Sequence, residues 1–421
     1  MARSLLHRCE SSFEHGGASA AILGWRNRLR GVKLLFTMLR SLQIKGFKLF
    51  GDIDLPRLGQ LNLFFGENNT GKTCLLEAIE IFDGSDLEED VAHILLRRGD
   101  LLYRQPDRIA RDDRNSIFGN PLASLFSGSS STSMGVGSEM LFEDRISKTA
   151  LKLRIGLFRR EEAENELVRL IGVSPEDDTR SARPYLEIEE MPVATKPRVV
   201  PLSSFSSPGA SLRMRRIAER DPHMFDSTAH VPAAGLDQAT VANYWDSSLL
   251  RGQAEMVLEW LKILDRDISG ISIVGGDGSP ISERRVPFVN LKGQKDPQPL
   301  RRLGDGLTRL FHIGLAAAKI SHGGRLFSQG VLLIDEFENG LHWRVQSRLW
   351  KALFAAAQKF DLQVFATTHS RDTIRGFLEA SRESDAETSL YRLDREKEHI
   401  FPTYLTSDSV EDALETGVEV R

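Results

Sequence analysis

The chain of 421 residues is short of several things, and each shortage closes off a class of protein. Only two cysteines occur, Cys9 and Cys74, too few for a disulfide framework, so a reducing, cytoplasmic setting without a cysteine metal site is expected. No apolar run approaches the ~20 residues that cross a bilayer, so no membrane role is expected of the chain by itself. Excess charge is missing too: 55 Lys and Arg against 59 Asp and Glu leave a net charge of −4, which argues against a protein that coats nucleic acid through its overall field. The local clusters Arg213, Arg215, Arg216 and Arg301, Arg302 are read as solvated faces, with contact to DNA as the alternative. Heptads are nowhere sustained, and long coiled arms are thereby disfavoured.

Against that background one stretch stands out, "LFFGENNTGKTCLLEAIEIF". Gly66, Glu67, Asn68, Asn69, Thr70, Gly71, Lys72 and Thr73 fit G-x-x-x-x-G-K-[ST], after the apolar run 61–65 and before a segment with helical periodicity at Leu75, Leu76, Ala78 and Ile79. In such a turn backbone N–H groups, continuing through Cys74 into the helix, wrap a β-phosphate. Lys72 reaches the β- and γ-phosphates, and Thr73 ligates Mg²⁺. A chance glycine turn is the bland alternative, and the strand–loop–helix context speaks against it.

The second half supplies matching pieces. "VLLIDEFENGLHWRVQ" is an apolar strand ending in two acids: Asp335 is placed to hold the Mg²⁺ shell and Glu336 to polarise the attacking water. "LQVFATTHS" is another apolar strand, running into His369, which should face the same crevice because ligands gather beyond the carboxyl ends of strands in open α/β sheets. There it would sense the γ-phosphate. In "RRLGDGLTRLFHIGLAAAKI", Gly304, Asp305 and Gly306 open a helix with the stripe Leu307, Leu310, Phe311, Leu315, Ala318, and its N-terminus could meet an anion.

This order of motifs resembles the ATP-binding cassette ATPases, including the SMC, RecF and OLD heads. Within them "SLQIKGFKLFGDIDL", "LGDG", "LLIDEFENGLH" and "VFATTHS" are most similar to OLD-type AAA ATPases, whose relatives include ATPase subunits of the phage-defence systems PARIS, Gabija and Septu. The resemblance covers 38–84 and about 296–380 well. It implies an α/β fold: an ABC-type P-loop head assembled from both ends of the chain, at 38–84 and 296–421, around a mixed α/β insert at 85–295, with 1–37 a dispensable extension. It also implies ATP and Mg²⁺ as cofactors and a homodimer, in which Gly304, Asp305 and Gly306 of one copy close over the nucleotide of the other.

Two departures from that pattern stand out. Gly304 occupies the place of the superfamily's signature serine, so the trans contact falls to backbone amides and Asp305. No convincing glutamine follows the first helix, and Gln105 is a candidate only by default. About fifty residues follow His369, without the glutamate and paired aspartates of the Toprim nuclease that OLD proteins carry. The expectation is an ATPase coupled to a separate effector such as a nuclease, acting as sensor or scaffold in phage defence. The alternatives are a RecF-like ATPase binding DNA and, less favoured because of the large insert, a transporter subunit.

Inside the insert, 151–158 and 185–188 read as strands extending an antiparallel subdomain, and Val199–Leu202 as an edge because of Pro201. Residues 251–264 read as an amphipathic helix with Met256, Val257, Trp260 and Leu261 on its core face. The Ser/Gly-rich stretches 124–139 and 203–212 read as loops.

Overall fold

The structure, a computed structural model, describes residues 38–84, 86–100, 120–128, 135–163, 167–174, 181–192, 197–205, 228–275, 285–320 and 329–416. The extension at 1–37, Gln105 and the Arg213–Arg216 cluster lie outside the described residues, as do parts of both Ser/Gly-rich stretches.

The first half runs β1 (Leu42–Phe47), β2 (Phe50–Leu55), β3 (Leu61–Phe65), α1 (Lys72–Asp83), α2 (Leu87–Arg98), β4 (Glu139–Asp144), β5 (Thr149–Ala163), β6 (Leu167–Val173), β7 (Arg183–Met191) and β8 (Arg198–Pro201). The second runs β9 (Thr228–Val231), α3 (Gln238–Leu250), α4 (Ala254–Leu261), β10 (Ile268–Val274), β11 (Val286–Leu291), β12 (Gln298–Pro299), α5 (Asp305–Ile320), β13 (Gly330–Ile334), α6 (Trp343–Phe360), β14 (Leu362–Thr368), α7 (Arg371–Arg382), β15 (Thr388–Glu396), β16 (His399–Leu405) and α8 (Ser407–Glu415).

A six-stranded sheet in the order β16-β15-β3-β14-β13-β9 forms the head, parallel except for the β15–β16 hairpin. The strands β3, β13 and β14 are buried along their whole length, as expected of parallel strands covered on both faces. Their register brings three chain ends level: Phe65 lies opposite Thr368, and Ala366 opposite Ile334, so the segments that follow emerge at one carboxyl edge. The fold is α/β, and five of the six strands of this sheet come from the two ends of the chain.

A second, antiparallel sheet has the order β2-β1-β4-β5-β7-β8, with β6 paired to the outer half of β5. The strands read at 151–158 and 185–188 sit in its centre as β5 and β7, and Pro201 closes the edge strand β8. Two elements differ from the sequence reading. The helix at 251–264 is shorter, because Gly252 in the left-handed region (φ 70°) turns the chain from α3 into α4. And β9, from the stretch assigned to the insert, pairs with β13 as the edge of the head sheet. Four residues with no clear alternation carry little sequence signal, whereas β13, buried on both faces, takes a partner on each side.

The stripe Leu307, Phe311, Leu315, Ala318 of α5 packs on Val257 and Leu261 of α4 and on Val289 of the small sheet β10-β11-β12, while Leu310, Ile313, Ala317 and Ile320 face the head sheet. The helix is therefore enclosed on both faces rather than amphipathic, a point that gives its one buried arginine weight below. Among the described residues no helix is long and apolar enough to cross a membrane.

Candidate functional site

Between β3 and α1 the chain makes a tight loop. Gly66 (φ 149°) and Gly71 (φ 88°) both lie in the region that favours glycine, and a Cβ on Gly66 would come within 2.3 Å of the Leu393 carbonyl oxygen. The first helical bond of α1 runs from Leu75 N–H to Gly71 C=O, so the amides of Lys72, Thr73 and Cys74 precede the ladder and point out of the helix N-terminus. Glu67, Asn68 and Asn69 are exposed, and the Thr70 hydroxyl donates to the Glu67 carbonyl at 2.9 Å. Lys72, only 7% exposed, donates its ammonium to the carbonyls of Gly66 (2.8 Å) and Glu67 (2.6 Å). Burial lowers its pKa, while the nearby Glu336 and Asp335 act the other way.

Opposite the loop stands the end of β13. The Thr73 hydroxyl donates to Asp335 Oδ2 at 2.9 Å, and the Thr367 hydroxyl, from β14, to Asp335 Oδ1 at 2.6 Å. Thr367 Oγ1 in turn accepts the Glu336 N–H at 2.8 Å. Glu336 adopts φ 47°, a left-handed conformation uncommon outside glycine, and its Oε2 accepts from Asn339 Nδ2 at 2.8 Å. Among the described residues no cationic side chain makes a salt bridge to Asp335 or Glu336; hydroxyls and an amide hold them instead.

His369 follows β14 as the register requires. Its N–H donates to Glu338 Oε1 at 2.8 Å, and its Nδ1 lies 3.1 Å from the same oxygen, although the ring is not aligned for a hydrogen bond there. Its side chain is 43% exposed. Gly304 and Asp305 are exposed at the start of α5, and partly buried Gly306 lies against the turn that follows Glu336: a Cβ on Gly306 would meet the Gly340 carbonyl oxygen at 2.9 Å. The Cys74 side chain faces away from the loop and is buried at 3.4 Å from Arg98 Nη2, which leaves its backbone amide for an anion.

Sequence reading missed three residues. Glu338 holds the His369 backbone, Asn339 steadies Glu336, and Arg309, 4% exposed on α5, donates to the backbone carbonyls of Pro232 (2.6 Å), Asp335 and Glu336 (3.0 Å). Burial pushes the Arg309 guanidinium down to about 10 despite the nearby carboxylates. Its signal was present: an arginine among Leu307, Leu310 and Phe311 in a helix wrapped on both faces needs an internal partner.

The residues present fit a nucleotide with Mg²⁺. The loop offers converging amides and a buried lysine for phosphate, and Thr73 with Asp335 offers two hard oxygens side by side with no arginine neutralising them. Among the described residues no group of three or more His, Cys, Asp or Glu could hold a metal.

Comparison with known proteins agrees with this geometry. Both halves of the head match AAA ATPase models. Residues 38–120 match a family described as "AAA ATPase domain", and residues 260–374 one described as "AAA domain, putative AbiEii toxin, Type IV TA system". The chain is 24% identical over 397 residues to an ATP/GTP phosphatase of Helicobacter pylori, covering 89% of this chain and 97% of that protein. It is 49% identical over 47 residues to an OLD nuclease of Thermus scotoductus, a match covering 11% of this chain and 9% of that protein. Among solved structures it is similar to the SMC head domain of Thermotoga maritima, at 14% identity and TM-score 0.42, over 88% of this chain and all of that one. The family matches and the phosphatase relative support an ATPase of AAA type.

Proposed function

We propose that the chain binds and hydrolyses ATP with Mg²⁺ at the β3–α1 loop. The observation that carries this reading is the Thr73–Asp335 hydrogen bond, which joins the phosphate loop to the end of β13 across 262 positions of sequence and leaves both carboxylates at that end without a cationic partner. Thr73 and Asp335 would hold Mg²⁺, which would supply positive charge to the phosphates. Lys72 leaves its two loop carbonyls for phosphate oxygens, Glu336 orients and accepts a proton from the attacking water, and His369 contacts the γ-phosphate side of the crevice.

The ATP/GTP phosphatase named among the relatives makes GTP worth testing beside ATP. Glu336→Gln should keep nucleotide affinity while lowering kcat by about a hundredfold or more, the usual contribution of such a group. Turnover at the wild-type rate in that variant would remove Glu336 from the role.

The exposed start of α5 supports a second copy as partner, with Gly304, Asp305 and Gly306 closing over the other subunit's nucleotide. A side chain on Gly306 would strike the Gly340 carbonyl, whereas Asp305 already carries a Cβ and is exposed, so Asp305→Lys is the cleaner probe: it should weaken ATP-dependent dimerisation of the Glu336→Gln variant in light scattering. An unchanged monomer mass with and without ATP in Glu336→Gln itself would count against the dimer.

The finer biological reading, a nucleotide-dependent sensor or scaffold that switches a separate effector such as a nuclease in phage defence, rests on resemblance. Copurification from native cells with trapped Glu336→Gln tests it. A nuclease partner supports it, whereas DNA bound without a protein partner favours a repair ATPase and membrane subunits a transporter.

A further inference from the structure

We propose that Arg309 is a positioning residue that couples the first turn of α5 to Glu336, so that whatever docks on Gly304–Gly306 sets the geometry of the water-orienting carboxylate. The proposal rests on the assignment of Glu336 above and goes beyond it by naming how a distant contact would reach it. The turn from Asp335 to Gly340 is gripped by α5 at both ends. At its start, the Arg309 guanidinium donates to the carbonyls of Asp335 and Glu336; at its end, Gly340 packs against Asp305 and Gly306. Gly306 and Arg309 are three residues apart, hence on one face of the helix one turn from each other. A shift or rotation of that first turn therefore moves both grips together.

What is gripped is poised to change. Glu336 sits at φ 47°, a conformation that persists in a non-glycine residue only when its surroundings impose it. Among the described residues the restraints are the Arg309 bond and the Asn339 N–H bond to its carbonyl, the Thr367 bond to its amide and the Asn339 side-chain bond to its carboxylate. Only the first comes from α5. The guanidinium also holds the Pro232 carbonyl, in the segment that leaves β9, so the same side chain ties the α5 start to the strand bordering β13. Its hydrogen-bond acceptors are three backbone carbonyls rather than carboxylates, an arrangement that fixes backbone position while its charge stays near the acids of the site.

Arg309→Met, which keeps the apolar length of the side chain, tests this in the full-length protein by turnover, nucleotide affinity and amide hydrogen exchange. The expected result is a fall in kcat of tenfold or more with nucleotide Kd within threefold of wild type. Exchange should be faster in the 335–341 peptide and unchanged in the 312–320 part of α5, and no further loss should appear when the change is added to Glu336→Gln. A packing role alone would instead loosen α5 and add its full loss to the double variant. Unchanged kcat together with unchanged exchange at 335–341 overturns the proposal, as does a fully additive double variant. Should Arg309→Met fail to fold, Arg309→Lys decides, because it keeps the charge but reaches fewer carbonyls: wild-type kcat and exchange there overturn the proposal, and an intermediate loss supports it. If the wild-type protein binds ATP without turning it over, the hydrolytic reading fails, while the exchange measurement still reports on the Arg309 grip.

Discussion

Two carboxylate clusters flank α1, one at its N-terminus and one along its side, and they are satisfied in opposite ways. At the N-terminus Asp335 and Glu336 are held by Thr73, Thr367 and Asn339, neutral donors, and the cations nearby, Lys72 and Arg309, spend their hydrogen bonds on backbone carbonyls. Along the side, Glu77 receives Arg98 and Lys48 at 2.6–2.7 Å, and Glu80 receives Arg97 at 2.9 Å and His230 Nδ1 at 2.7 Å. The same residue types thus do different work. Acids closed on cationic side chains tie α1 to α2, the β1–β2 turn and β9, whereas acids held by hydroxyls and amides are the ones the proposed function assigns to Mg²⁺ and water.

The largest expected effect separates the two clusters by stability. Glu80→Gln removes one partner from a buried set and should cost about 3–5 kcal/mol of unfolding free energy. Asp335→Asn keeps an acceptor oxygen for Thr367, and the Thr73 hydroxyl can turn to accept from the new amide, so with one hydrogen bond exchanged rather than lost the variant should stay within about 1 kcal/mol of wild type. Denaturant melts of the two variants in the absence of nucleotide decide it; equal losses would erase the distinction.

Acid sharpens the same contrast. Burial alone would raise the Glu80 carboxyl, but the Arg97 and His230 charges outweigh it and hold it from its ordinary 4.5 down to about 2. A depressed folded-state value means its contribution is fully present above the ordinary pKa and is lost as pH falls from about 4.5 through about 2. That loss should amount to roughly 3 kcal/mol at most and should be missing from the stability profile of Glu80→Gln. A wild-type profile parallel to that of the variant below pH 4.5 would show that the pair does not stabilise the fold in this way.

The contrast also explains what could be read from sequence. The phosphate loop, Asp335, Glu336 and His369 were legible because each sits in a contiguous strand-to-loop segment whose chemistry is local. Pairing across the fold was not. Arg97 meets Glu80 from 17 positions away and His230 from 150, and no periodicity in either segment announces the partner. Arg309 was visible as an oddity but its acceptors, backbone carbonyls 26 and 27 positions on, carry no side-chain signal at all. β9 was lost for a related reason: the partner that makes four residues a strand lies about a hundred positions downstream.

Next in size is ligand stabilisation, which should belong to one cluster only. At ~100 times its Kd, Mg²⁺ with a nucleoside triphosphate should add about 2.7 kcal/mol to wild type, seen as a rise in melting temperature that EDTA diminishes. Glu80→Gln, though weaker, should show the same increment, because its acid faces Arg97 and not the loop. Lys72→Ala should show little of it. An increment abolished by Glu80→Gln would mean that the two clusters act as one.

The smallest expected change in stability comes from converting one kind of cluster into the other. Asn339 sits three residues after Glu336 and gives its carboxylate a neutral donor at 2.8 Å. Asn339→Lys would place an ammonium on a partly exposed position within reach of the same acid, reproducing beside Glu336 what Lys48 does for Glu77. Ion pairs that are not deeply buried contribute about 0–1 kcal/mol, so melting should shift little, and upward if at all. Turnover should respond in the other direction. A carboxylate paired with a cation is a poorer proton acceptor, and kcat should fall by about tenfold while nucleotide affinity is kept. The readout that distinguishes this from simple crowding is Asn339→Met, of similar bulk and no charge: if it lowers kcat as much as the lysine does, the neutral character of the donor set is not what keeps Glu336 competent.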